Sequence, residues 1–291
     1  MPDLITGDAT EVLAALARPG PTNRVVLIFN YGMQRGIAAA AFASVLAEYD
    51  LVANLSGVVG VSSGAPVAAG LIAGCVPAIA SVYAGACCTP AFYDRKREAR
   101  LSIRYIVACL RNKIDAAEVL RHELPLGMQV HLPDSGRSRI VFPGTENRFW
   151  EALGATMAAP GLCTEKFYIA SESAHDAAAV DPLPLATINT ALRPTHVLII
   201  TNLPLTGKLW VPLREQGFPR IDGTFRNRVA EALATPEVAV AAAWVPPDFP
   251  VGMFTQDRER ICSAYDNERA RWRTLLTPFV CERSAVGSAA S

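Results

Sequence analysis

Four short apolar runs constrain this chain more than anything else in it: Arg24 to Asn30 (RVVLIFN), Leu55 to Val61 (LSGVVGV), Thr195 to Asn202 (THVLIITN) and Val238 to Val245 (VAVAAAWV). Each has the length of a strand and is continuously apolar rather than alternating, the pattern of a strand buried on both faces. The first is followed by GIAAAAFASVLAEYD from Gly36, a run of strong helix formers. The second is followed by GAPVAAGLIAG from Gly64, with Pro66 near the first turn, where a missing N–H costs nothing. Strand, turn and helix in alternation predict an α/β fold, with a mainly parallel central sheet covered by helices on both faces.

The rest of the chain fits around that frame. Asp94 to Asn112 and Asp115 to Leu124 read as helices, and the first opens on a basic cluster of Arg95, Lys96, Arg97, Arg100 and Arg104. GMQVHL and RSRIVF flank PDSG and predict a strand pair; ENRFWEALGATM from Glu146 predicts a helix stopped by Pro160 and Gly161. Asp257 to Leu276 carries its apolar residues at helical spacing. Residues 1–20 read as an N-terminal extension, 21–280 as one domain and 281–291 as a disordered tail. Val67 to Cys88 is nearly free of charge, but its Ala and Gly content and Pro77 favour a buried core helix over a membrane span.

Composition narrows the partners by exclusion. With 27 basic and 27 acidic side chains there is no global field to recruit nucleic acid. The 7 cysteines lack Cys-x-x-Cys spacing, and an odd number cannot all pair, so a reducing compartment is expected. The opening residues lack the basic and apolar regions of a secretory signal, which makes a cytoplasmic chain the expectation. No cluster has metal-ligand spacing, so neither a metal nor a cofactor is expected.

Chemistry points to one turn. Gly60, Val61, Ser62, Ser63 and Gly64 form Gly-x-Ser-x-Gly between a strand and a helix, a spacing that lets a serine oxygen project from the carboxyl edge of a sheet. A serine needs a base, and histidine is the default. His122, His131, His175 and His196 are available, none in an obvious role, and the histidine triad stays open as an alternative. The other source of a base is HDAAAVDPLPL, which carries Asp176 and Asp181.

With these motifs in place the chain resembles the patatin-like phospholipase family, and most of all its bacterial branch. YGMQRG (Tyr31 to Gly36) is similar to the family's Gly-Gly-Gly-x-Arg-Gly loop, keeping Gly32, Arg35 and Gly36. Gly60 to Gly64 matches its nucleophile motif, and DAAAVDPLP its Asp-Gly-Gly box. ATMAAPGL resembles the helix end before that box, and RERICSAYDNERA the closing helix. The chain departs from the family at Tyr31 and Met33, and at Ala177 and Ala178 after the aspartate.

The resemblance implies a three-layer patatin-like α/β fold and a serine lipid acyl hydrolase with a Ser–Asp dyad and no histidine. Ser62 would be the nucleophile and Asp176 its base, preferred to Asp181. The N–H groups of Gly32 and Met33 would form the oxyanion hole, and Arg35 would meet the substrate or brace the loop. The implied substrate is an ester of a lipid or other acyl group, and the basic cluster suggests peripheral contact with a membrane. Two alternatives share the fold: a catalytically silent relative that binds lipid or protein, and an acyltransferase or amidase using the same dyad. Ala91 to Leu124 is the segment expected to act as a lid.

Overall fold

The computed structural model describes residues 4–288 apart from 19, 21, 95, 97–99, 179, 206–220 and 235–236. In chain order the elements are β1 (Ile5–Gly7), α1 (Ala9–Ala17), β2 (Val25–Phe29), α2 (Gly36–Glu48), β3 (Leu55–Val61), α3 (Gly64–Ile72), α4 (Val76–Ala84), α5 (Ile103–Arg111) and α6 (Ala116–Arg121). There follow β4 (Leu126–Leu132), β5 (Arg137–Val141), α7 (Glu146–Met157), β6 (Phe167–Ile169), β7 (Glu172–Asp176), α8 (Leu185–Leu192), β8 (His196–Pro204), α9 (Ile221–Leu233), β9 (Ala239–Val245) and α10 (Arg258–Ser288).

One mixed sheet runs β1-β9-β8-β2-β3-β4-β7-β6, with β5 also paired to β4. The five strands from β9 to β4 are mutually parallel, as the continuous apolar runs predict. β1, β5, β6 and β7 join antiparallel around this centre. Two buried apolar clusters line opposite sides: Val25, Leu27 and Phe29 of β2 face one, Val26 and Ile28 the other. Alternation along a strand fully buried at every position is what produces this division.

Several expectations need correction. The stretch read as an N-terminal extension contains packed elements: β1 pairs with β9, and Val12 and Leu16 of α1 are fully buried. The closing helix reaches Ser288, well into the stretch read as a disordered tail. The helix expected from Asp94 starts only at Ile103, because Tyr93 and Leu101 form a β-bridge instead. In the basic cluster, Arg95 and Arg97 lie outside the described residues. Arg104 is engaged within the chain, donating to the Lys166 carbonyl (2.7 Å) with its guanidinium over the Phe167 ring. The uncharged stretch from Val67 folds into parts of α3 and α4 against the core, and no helix among the described residues is long and apolar enough to cross a membrane.

Candidate active site

Ser62 follows the last residue of β3 and adopts φ +52°, a left-handed conformation that costs a non-glycine residue on the order of 1 kcal/mol. The flanking glycines make that turn sterically accessible. A Cβ on Gly60 would lie 2.3 Å from Ala65 Cα, and one on Gly64 would lie 2.2 Å from the Phe29 carbonyl oxygen. Strand β3, helix α3 and the end of β2 therefore meet with no room for a side chain. Ser62 donates its backbone N–H to Thr156 Oγ1 (2.9 Å), and the Tyr83 hydroxyl donates to the Ser63 carbonyl.

Asp176 arrives at the same place through strand register. β5 occupies one edge of β4 along residues 128–132, so β3 and β7, whose pairings overlap that stretch, must both use the other edge. There β3 ends with Val61 opposite Gln129, and β7 takes over with Asp176 opposite Val130. Two loops remote in sequence thus come together as consecutive neighbours of one strand. The end of α7 ties both: Thr156 receives the Ser62 N–H, and the Ala158 carbonyl receives the Asp176 N–H (3.1 Å).

Both side chains are buried, each 5% exposed. Burial pushes the Asp176 carboxyl up to about 6, while the nearby Ser62 hydroxyl and the Ala178 N–H pull it down. The Ala178 N–H donates to Oδ1 at 2.9 Å. Ala177 and Ala178 keep negative φ, so the absence of glycine there is sterically unremarkable. Asp181 is turned elsewhere. Its carboxyl is also raised by burial, but its charged neighbours are Arg228 and His131.

The histidines are accounted for without Ser62. His122 Nδ1 accepts from the Leu124 N–H, His131 Nδ1 lies 3.2 Å from Ser138 Oγ, and His196 Nδ1 lies 2.8 Å from Thr195 Oγ1. His175 adjoins Asp176 in sequence but pairs across the ladder with His131, with ring centroids 5.0 Å apart, on the opposite face of the sheet. Among the described residues no histidine is hydrogen-bonded to Ser62, so nothing here assembles a histidine triad.

The loop after β2 carries the candidate oxyanion donors. Gly32 has φ +154°, with its missing Cβ position 2.6 Å from Asn202 Cβ, and Met33 has φ +54°. Among the described residues, the N–H groups of Gly32, Met33 and Ser63 donate to no protein acceptor. Buried asparagines hold this loop. Asn30 Nδ2 donates to the Pro182 carbonyl (3.3 Å), its Oδ1 accepts the Tyr31 N–H (2.7 Å), and its own carbonyl accepts from Asn202 Nδ2. Asn202 Oδ1 in turn accepts the Ala39 N–H (3.3 Å), tying in α2. Arg35 braces the far side through Nε to the Val251 carbonyl (2.9 Å), its guanidinium pKa lowered by burial. Sequence reasoning missed Asn30, Tyr83, Thr156 and Asn202. Thr156 lies within ATMAAPGL but was given no role there, the other three belong to no motif, and only their partners reveal them.

A cleft opens beside Ser62, walled by Met33, Pro66, Ile79, Phe92, Ile106 and Met157. Its polar contributions come from Ser62, Ser63, Gln34 and Tyr83; the Cys87 thiol is held protonated by burial. Phe92, Ile103, Ile106 and Leu110 bring the segment expected to be a lid into its wall.

No known protein family matches the chain, and no curated protein matches it in sequence. Among solved structures, VipD from Legionella pneumophila is similar at 12% identity and a TM-score of 0.46, over 90% of this chain and 68% of that one.

Proposed function

We propose that this protein is a serine acyl hydrolase of patatin-like type, cleaving carboxylic esters of lipids through a covalent acyl-enzyme with Ser62 as nucleophile and Asp176 as base. One observation carries the reading: a strained serine and a buried carboxyl with a raised pKa are delivered side by side along one edge of β4. An ordinary carboxylate is a weak base for a hydroxyl, and a pKa near 6 brings Asp176 closer to the task while leaving it ionised at neutral pH.

In the proposed reaction Ser62 Oγ attacks the ester carbonyl carbon as its proton passes to the Asp176 carboxylate. The carbonyl oxygen becomes an oxyanion facing the N–H groups of Gly32 and Met33 and the N-terminus of α3. Collapse breaks the ester C–O bond, and the departing alkoxide takes the proton from Asp176. Water then attacks the acyl-enzyme with Asp176 again as base, releasing the acid and restoring Ser62. The apolar cleft suits an acyl chain, and the lipid class of the substrate, like contact with a membrane surface, is part of the proposal.

The test is hydrolysis of short-chain p-nitrophenyl esters together with labelling by a fluorophosphonate probe. The wild-type protein should turn over the ester and be labelled at Ser62, and Ser62→Ala should lose both. Turnover retained in Ser62→Ala rejects the nucleophile, and a folded wild type that neither turns over nor labels favours a silent binding protein.

A further inference from the structure

The cleft beside Ser62 is apolar except at a few points, and two of its lining residues carry a polar atom with no hydrogen-bond partner among the described residues. Gln34 is 3% exposed and lines the cleft. Its Nε2 donates to the Cys87 carbonyl at 2.9 Å, which fixes the orientation of the amide and leaves Oε1 as the free end. Oε1 is buried without a hydrogen-bond partner among the described residues. Ser63, 8% exposed and also in the cleft wall, has a buried Oγ in the same condition. A buried acceptor left unpaired disfavours the folded state, and a ligand group that paired with these two atoms would relieve that cost.

Gln34 directly follows Met33, whose N–H faces the reacting carbonyl in the proposed mechanism, and Ser63 directly follows the nucleophile. Both residues line the cleft next in sequence to the groups that would meet the carboxyl end of an acyl chain. We infer that the cleft selects acyl groups bearing a hydroxyl within the first few carbons from the ester carbonyl, with Gln34 Oε1 accepting the hydrogen bond from that hydroxyl and Ser63 Oγ supporting it. This inference rests on the acyl-hydrolase reading and names the substrate class of the same site. A site built to bond a substrate hydroxyl discriminates strongly against the analogue lacking it, because the analogue leaves the protein's own polar groups unpaired.

The experiment compares two p-nitrophenyl esters of equal chain length, octanoate and 3-hydroxyoctanoate, by their kcat/KM values on wild type, Gln34→Met and Gln34→Glu. Because the readout is a ratio on one protein sample, a loss of folded fraction does not move it. Wild type should favour the hydroxylated ester by about tenfold or more. Gln34→Met should bring the ratio to about 1 or below, and Gln34→Glu, which keeps an acceptor oxygen, should preserve a preference. A wild-type ratio near 1, or a preference unchanged in Gln34→Met, overturns the assignment while leaving the hydrolase reading intact. If neither ester is turned over and Ser62 takes no fluorophosphonate, the hydrolase reading fails and this inference with it.

Discussion

Ser62 and Asp176 are equally buried, yet the chain holds them by opposite means. Ser62 is placed by backbone: a left-handed φ, two glycines pressed against neighbouring main chain, and a helix that starts two residues later. Asp176 is placed by environment, on a strand that pairs with β4 at only two positions, with ordinary φ at the two alanines that follow and a carboxyl tuned by desolvation. The geometry of Ser62 is a steric fact that any added atom destroys. The ionisation of Asp176 is an electrostatic property that can be altered without moving the backbone.

One substitution on each side, an added methyl group at Gly64 and an isosteric amide at Asp176, should separate these cases most sharply. Gly64→Ala places a carbon against the Phe29 carbonyl, where backbone must yield; we expect a loss of about 4 kcal/mol or more in denaturant unfolding, with activity abolished. Asp176→Asn should lower kcat by on the order of 10³-fold or more, yet stabilise the fold. A carboxyl raised from 3.8 to about 6 contributes fully below pH 3.8, and that contribution is lost as pH rises through about 6. At pH 8 the asparagine variant should therefore be more stable, by up to about 3 kcal/mol, and the difference should vanish below pH 4. Thr156→Val strands the buried Ser62 N–H and should cost about 1–3 kcal/mol, with the loss showing in kcat more than in KM. The smallest effect should come from Ser62→Gly: it relieves the left-handed strain and should raise stability by about 1 kcal/mol in thermal unfolding, without activity.

The same contrast explains what the sequence made legible. β3 was readable to its boundaries, and so was the turn after it, because an apolar run followed by Gly-x-Ser-x-Gly carries its steric reason locally. β7 was not, since ESAHD contains no β-branched residue and becomes a strand through its pairing with β6 and with the edge that β4 offers. The start of α5 was placed too early for a related reason. Its first turn is capped by Glu165, whose carboxylate accepts from Ser102 Oγ (2.9 Å) and the Arg104 N–H (2.7 Å), a partner about 60 residues downstream. β1 likewise depends on β9, more than 230 residues away, which is why it looked like an extension. Asp176 itself was found by motif resemblance, while Asn30 and Asn202, which help hold the site together, carry no local signature, and Thr156 sits in the ATMAAPGL segment, which gave no hint of its role.

The central claim is that Asp176 alone takes the proton from Ser62, and the pH dependence of Ser62 labelling by a fluorophosphonate tests it most directly. The account predicts a second-order labelling rate that rises with pH through a single ionisation near 6, a limb that disappears with the reactivity itself in Asp176→Asn and persists in His175→Ala. A labelling rate that survives Asp176→Asn, or one that collapses when a histidine is removed, would contradict it.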